Sequence, residues 1–159
     1  MASLAPNSLP VIFADTHVLL AADDAFDLHR QSQARAWLQV LWKSRTGRVS
    51  TQVLADYYVT VTQKFGMSAG DARAKLRRFQ LWQPWQVDHR TVETAWGVEA
   101  RFGLPYGDAL MVACAAQAGA QYVLTPTLEH DLQIDGVCIV DPYRLTPADL
   151  GFIEGAPPI

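Results

Sequence analysis

Apolar positions along this chain fall into blocks of two kinds, and the kinds alternate. Residues 11–14, 121–125 and 137–140 are short runs dominated by Val, Ile, Leu, Phe and Tyr, the mark of brief buried strands. Longer stretches between them carry apolar residues three and four apart. Residues 28–43 place Ala34, Trp37, Leu38, Leu41 and Trp42 on one face, which predicts an amphipathic helix. Ser50 caps a further helix that runs to about residue 64 and stops at Gly66. Ser68 and Asp71 form a capping box with Asp in the place of Glu, and the helix behind them runs to about residue 81. Asp88 caps a helix through residue 101, closed by Gly103. Pro105 then opens, and Gly119 closes, a helix that is apolar nearly all the way round, so it is buried.

Weaker signals fill the gaps. Asp15, Thr16 and His17 read as a turn into a helical turn at 18–20. Residues 48–50 and 86–87 read as very short strands, and 128–132 as one helical turn. Strands alternating with helices predict an α/β fold with a mostly parallel central sheet. The boundaries expected are a loose tail at 1–9, with Pro6 in it, a single domain over 10–145, and a C-terminal tail at 146–159, with Pro157 and Pro158.

Composition narrows the class. At 159 residues, half of them hydrophobic, the chain has material for one proper core and is not a disordered segment. No apolar run approaches the roughly 20 residues that span a bilayer. The first residues lack a basic segment followed by an apolar one, so no secretory signal is read. Cys114 and Cys138 sit in apolar segments and read as reduced core residues of a cytoplasmic protein. A net charge of −3 argues against a broadly basic nucleic-acid binder. It leaves room for a nuclease, whose acidic site adds negative charge that bound cations offset.

Three acids stand out against this apolar background. Asp15 ends the first strand, Asp56 lies inside the apolar-rich helix after Ser50, and Asp108 enters the apolar helix in its first turn. Ligands of open α/β sheets bind beyond the carboxyl ends of the strands, where Asp15, Thr125 and Thr127 fall. Thr60 and Lys64 share a helix face with Asp56. Clustered carboxylates suit hard cations such as Mg²⁺ or Mn²⁺. Each acid also has a plainer reading: Asp108 as a helix-dipole partner, Asp15 as a cap, Asp56 as a solvated surface group.

Four segments carry a resemblance. Phe13-Ala-Asp-Thr-His-Val-Leu-Leu20, Ser50-Thr-Gln-Val-Leu-Ala-Asp-Tyr-Tyr-Val59, Leu104-Pro-Tyr-Gly-Asp-Ala-Leu-Met-Val-Ala113 and Tyr122-Val-Leu-Thr-Pro-Thr-Leu128 resemble, in order, the motifs of the PIN domain family, and more narrowly of VapC-type toxin ribonucleases. The segments 134–137 and 140–143 resemble the family's closing strand. The resemblance covers about residues 11 to 143. It implies a single-domain α/β/α sandwich and a Mg²⁺- or Mn²⁺-dependent endoribonuclease. The partners it implies are an RNA substrate, a cognate antitoxin protein and a second copy of the chain. Asp15, Asp56 and Asp108 are then the catalytic acids, Asp15 and Asp108 the principal metal ligands, and Thr16, His17, Thr125 and Thr127 their hydrogen-bonding support.

The chain departs from the family pattern in three places. Asp56 stands for a Glu, His17 for an Asn, and Thr127, behind Pro126, for the fourth acid. Glu129 and Asp131 are the candidate substitutes for that acid. The departures keep a second reading open, a PIN domain that binds RNA or protein without cleaving. A third, a phosphatase with Asp15 as nucleophile, is disfavoured because His17 occupies the place of its second Asp.

Two further groups stand apart from the acids. Arg73, Lys75, Arg77 and Arg78 crowd one short helix and are placed for phosphate contacts or for a solvated face. Trp37 and Trp42 lie where VapC-like proteins form interfaces, and Trp82 and Trp85 flank Pro84 as core or as base-stacking residues.

Overall fold

The structure, a computed structural model, describes residues 8–153. Most of the N-terminal tail expected at 1–9 and the Pro157–Pro158 end therefore lie outside the described residues. Among the described residues five strands and six helices follow in the order β1 (Ile12–Ala14), α1 (Thr16–Asp23), α2 (Leu28–Ser44), β2 (Gly47–Arg48), α3 (Thr51–Gln63), α4 (Ala69–Phe79), α5 (His89–Phe102), α6 (Tyr106–Gln117), β3 (Tyr122–Leu124), β4 (Gln133–Ile134) and β5 (Val137–Val140). Single 3₁₀ turns follow α4 at Gln80–Trp82 and β5 at Pro147–Leu150.

The strands form one sheet of order β2-β1-β3-β5-β4. All neighbours are parallel except β4 and β5, which makes this an α/β fold with a mostly parallel sheet. Every residue of β1 is fully buried, as expected of a strand covered on both faces. The pairing register sets which residues meet at the strand ends. Ala14 pairs with Leu124, and Leu124 with Val140. Asp15 and Thr125 are therefore the first residues past the carboxyl ends of two adjacent strands, and the Asp15 amide still donates to the Leu124 carbonyl at 3.1 Å.

Local chemistry starts the helices where the sequence places them. Ser50 accepts from the Val53 amide at 3.2 Å, Ser68 from Asp71 at 3.1 Å and Asp88 from Thr91 at 2.9 Å, each satisfying an orphan donor of a first turn. Gly103 closes α5 with φ 64°. Helix α6 buries seven consecutive residues, Ala109 to Ala115. Cys114 lies among them, and burial pushes its thiol up to about 11; both cysteines are free.

Three local expectations are corrected. Residues 86–87 form no strand; the extended chain makes a single parallel bridge between Ser50 and Trp85 instead. Residues 128–132 form no helical turn. The Asp131 amide is drawn to the Ile139 carbonyl at 2.8 Å and the Ile139 amide to the Leu132 carbonyl at 2.9 Å, so that segment is the entry to a hairpin. Its two central residues, Asp135 (φ 49°) and Gly136 (φ 85°), have the positive φ values of the tight turn that Asp-Gly favours. Trp37 is no interface residue: it is 1% exposed and its indole N–H donates to the Pro142 carbonyl at 3.0 Å.

Trp42, Phe79 and Trp82 pack as a cluster of tilted and edge-to-face rings, with centroids 4.8 to 5.3 Å apart. Gly47 of β2 lies under it; a Cβ there would meet the Trp82 ring at 2.6 Å. Packing also reaches into the stretch 146–153, where Phe152 is buried. No helix of the described residues is long and apolar enough to cross a membrane.

Candidate active site

The sheet brings Asp15 to the carboxyl rim and the start of α6 brings Asp108 to the same place. Together with Asp56 of α3 they line one open cleft of about 420 Å³. Thr16, His17, Gln52, Thr60 and Lys64 line it too. The pairing of Asp56, Thr60 and Lys64 on one helix face is thus observed. Glu129 and Asp131 do not line it. Asp131 is turned toward His130, 3.5 Å away, and Glu129 is exposed with its backbone carbonyl holding the Leu132 amide.

Asp15 does not serve as a side-chain cap for α1. Asp15 is only 7% exposed, and its carboxylate is held from two sides. The Thr125 hydroxyl donates to Oδ2 at 2.8 Å, and His17 Nδ1 lies 2.8 Å from the same oxygen. Asp108 is held by the Thr127 hydroxyl, which donates to Oδ1 at 3.0 Å. The Thr125 and Thr127 hydroxyls are themselves 3.0 Å apart, and the Thr127 amide donates to Thr125 Oγ1 at 3.2 Å. One chain of contacts therefore runs from His17 through Asp15, Thr125 and Thr127 to Asp108. Thr16 is buried beside it.

Electrostatics mark the cleft as short of positive charge. Burial raises the Asp108 carboxyl, the Thr127 hydrogen bond lowers it, and the Asp15 charge raises it again. Burial and then the Asp15 charge raise Asp56. His17 is raised chiefly by its bond to Asp15, against its own burial, with the charges of Asp15 and Asp108 adding to the rise. Lys64, exposed at the end of α3, forms no ion pair among the described residues.

The donor set meets the needs of a hard divalent cation in chemistry but not in compactness. Among the described residues no three or more His, Cys, Asp or Glu side chains gather closely enough to hold a metal ion. The acids share a cleft without forming a ready cage. The chemistry fits nonetheless: the ligands on offer are oxygens, two carboxyls are raised, by burial first and then by the Asp15 charge, and the buried side-chain oxygen of Gln52 accepts no hydrogen bond. An orphaned acceptor of this kind is uncommon and needs a partner. Nothing in the sequence separates Gln52 from any surface amide.

The family model for the PIN domain matches residues 12–126. The chain belongs to the PIN domain family. Its matched span starts in β1 and ends just before Thr127, so it takes in Asp15, Asp56 and Asp108. Among solved structures, this PIN domain is similar to VapC20, a Sarcin-Ricin loop cleaving toxin of Mycobacterium tuberculosis, at 22% identity and a TM-score of 0.57, over 92% of this chain and 99% of that one. At that identity the likeness is one of fold. No curated protein matches the sequence.

Proposed function

We propose that this PIN domain is a divalent-cation-dependent endoribonuclease and acts in the cytoplasm as the toxin of a VapBC-like pair. The observation that carries the reading is the hydroxyl bridge: Asp15 and Asp108, from two ends of the chain's core, are tied through Thr125 and Thr127 in one cleft at the strand ends. Family membership and the VapC20-like fold support it.

Asp15 and Asp108 would hold the cation, Mg²⁺ or Mn²⁺, and Asp56, which lines the same cleft, would assist. Such an ion activates a water and offsets charge on the phosphodiester oxygens. The chain's own residues do the rest. Thr125 and Thr127 fix the carboxylate rotamers, so little reorganisation is needed when substrate arrives. His17 orients Asp15 from the solvent side. Lys64 offers the cleft mouth a free cation, which draws a phosphate toward three carboxylates that would otherwise repel it.

A second copy of the chain and a cognate antitoxin complete the proposal. An antitoxin segment bearing a basic side chain has an obvious target in the cleft. The test is direct. Purified protein, freed of any partner, is incubated with structured RNA in Mg²⁺ or Mn²⁺ alongside Asp15→Asn and Thr127→Asp. Cation-dependent cleavage that vanishes in Asp15→Asn supports the nuclease. Thr127 in the place of the fourth acid favours the second reading, a binding module; it wins if the parent is inert and Thr127→Asp alone gains cleavage.

A further inference from the structure

On the far side of α3 from the acidic cleft, α3 and α4 enclose a second hollow of about 390 Å³. Leu54 and Leu76 form its apolar floor, and Tyr58, Arg73, Arg77 and Gln80 line it. No acid does. Arg73 and Arg77 stand one turn apart and exposed, and neither forms an ion pair among the described residues. Two unneutralised guanidinium groups beside a tyrosine are conspicuous in a chain of net charge −3.

We infer that this groove binds single-stranded RNA, as the track that holds the strand beyond the bond broken in the acidic cleft. The inference rests on the ribonuclease reading. Its warrant is the combination of paired cations and an aromatic ring, which is the makeup of single-strand binding grooves: cations follow the backbone and rings stack on bases without regard to sequence. Position supports it. Residues 52, 56, 60 and 64 face the cleft, whereas 54 and 58 face the groove, so the two sites are opposite faces of one helix about 10 Å wide. Ala55, at the rim of the groove, and Val59 form the exposed ridge between them, low and uncharged, so nothing on it repels a strand that crosses. The rival cation-lined hollow, between α1, α2 and α4, is less free. Lys75 there pairs with Asp23, Arg35 donates to the Ala22 carbonyl, and Arg78 lies over the Trp42 ring.

The test measures binding of labelled oligouridylate to the full chain in EDTA across a salt series. Arg73→Glu with Arg77→Glu should weaken binding by at least about tenfold and flatten the salt slope by about 1.4, the value for two lost phosphate contacts on a single strand. Tyr58→Leu, which keeps the apolar floor, should cost about fivefold or more. Arg90→Glu with Arg144→Glu, which changes net charge equally outside the groove, should leave affinity nearly unchanged. Unchanged affinity and slope in the Arg73 and Arg77 pair overturns the groove; if the parent still cleaves RNA with Mn²⁺, the nuclease reading survives that result. A parent that neither binds oligouridylate nor cleaves overturns both. A shift from dimer to monomer on sedimentation of the Arg73 and Arg77 pair shows the groove to be a joint between copies, and also overturns the proposal.

Discussion

Thr127 donates its hydroxyl to Asp108 Oδ1 at 3.0 Å while standing 3.0 Å from the Thr125 hydroxyl, which donates to Asp15. Two hydroxyls carry two protons, yet the chain from Asp15 to Asp108 has three contacts. With both acids ionised, the middle contact lacks a hydrogen. The cleft pushes the Asp108 carboxyl upward by burial and by the Asp15 charge, against the lowering effect of the Thr127 bond. The place of the fourth acid is thus filled by a group that links two acids rather than adding a fourth charge.

Thr127→Val removes the hydroxyl and keeps the shape. The Asp108 carboxyl should then titrate higher still, because the one hydrogen bond that lowers it is gone. Carboxyl chemical shifts followed against pH check this. An unmoved Asp108 would mean that Thr127 does not hold it in solution.

Thr127→Asp should have opposite effects with and without cation. Without it, another carboxylate beside Asp108 lowers thermal stability, since like charges in one cleft repel. With Mn²⁺, binding to the native state alone raises the melting temperature, by more than in the parent. Melting curves with and without Mn²⁺ decide it; equal cation-induced shifts in the two proteins would sink the idea.

His17 should make the cation-free protein lose stability as pH rises above 6.5. Its native pKa lies above 6.5, chiefly through its bond to Asp15. The contribution is therefore complete below 6.5 and is lost as pH climbs through the native value. The raised Asp56 and Asp108 act in the same sense at lower pH: they favour the fold while protonated and cease to as pH rises through their native values. In His17→Gln the fall above pH 6.5 should flatten. A bound divalent cation should lower the His17 pKa, which imidazole proton shifts would register.

Lys64→Ala should raise KM for RNA and lower the salt slope of binding by about 0.7, one single-strand phosphate contact. The turnover number should change less. Kinetics at two salt concentrations separate this from a loss of fold.

Gly47→Ala tests the packing beneath the aromatic cluster. The added Cβ meets the buried Trp82 ring at 2.6 Å, and Trp42 and Phe79 pack against that ring. Overpacking of this kind costs about 1–3 kcal/mol, visible as a lower denaturant midpoint. A parent-like midpoint would show that the cluster yields more readily than its ring contacts imply.

Much of the fold was legible in the residues because it is local. Ser50, Ser68 and Asp88 announce helices through hydroxyl and carboxylate caps, and each makes the expected bond. The apolar helix behind Asp108 is buried as its pattern requires. The approach of Asp15 to Thr125 spans 110 residues and depends on the pairing of β1 with β3, which no local rule supplies. The hairpin at Asp135 and Gly136 carried its own signal in the Asp-Gly pair, yet β4 is two residues long and its periodicity is too brief to see. Gln52 needed the cleft itself, because a buried amide oxygen without a donor, which Gln33 also has, gains meaning only from the acids that share its cleft.

Asp108 rides on a helix encased for seven consecutive residues, Ala109 to Ala115. Close-packed interiors resist small displacements, so nudging that acid out of line would mean repacking the middle of the protein. Regulation by gentle distortion is poorly suited to such a site. Whatever silences it does best to stand in the doorway: a plug is needed here, not a lever, and once the plug leaves, the geometry is waiting as it was.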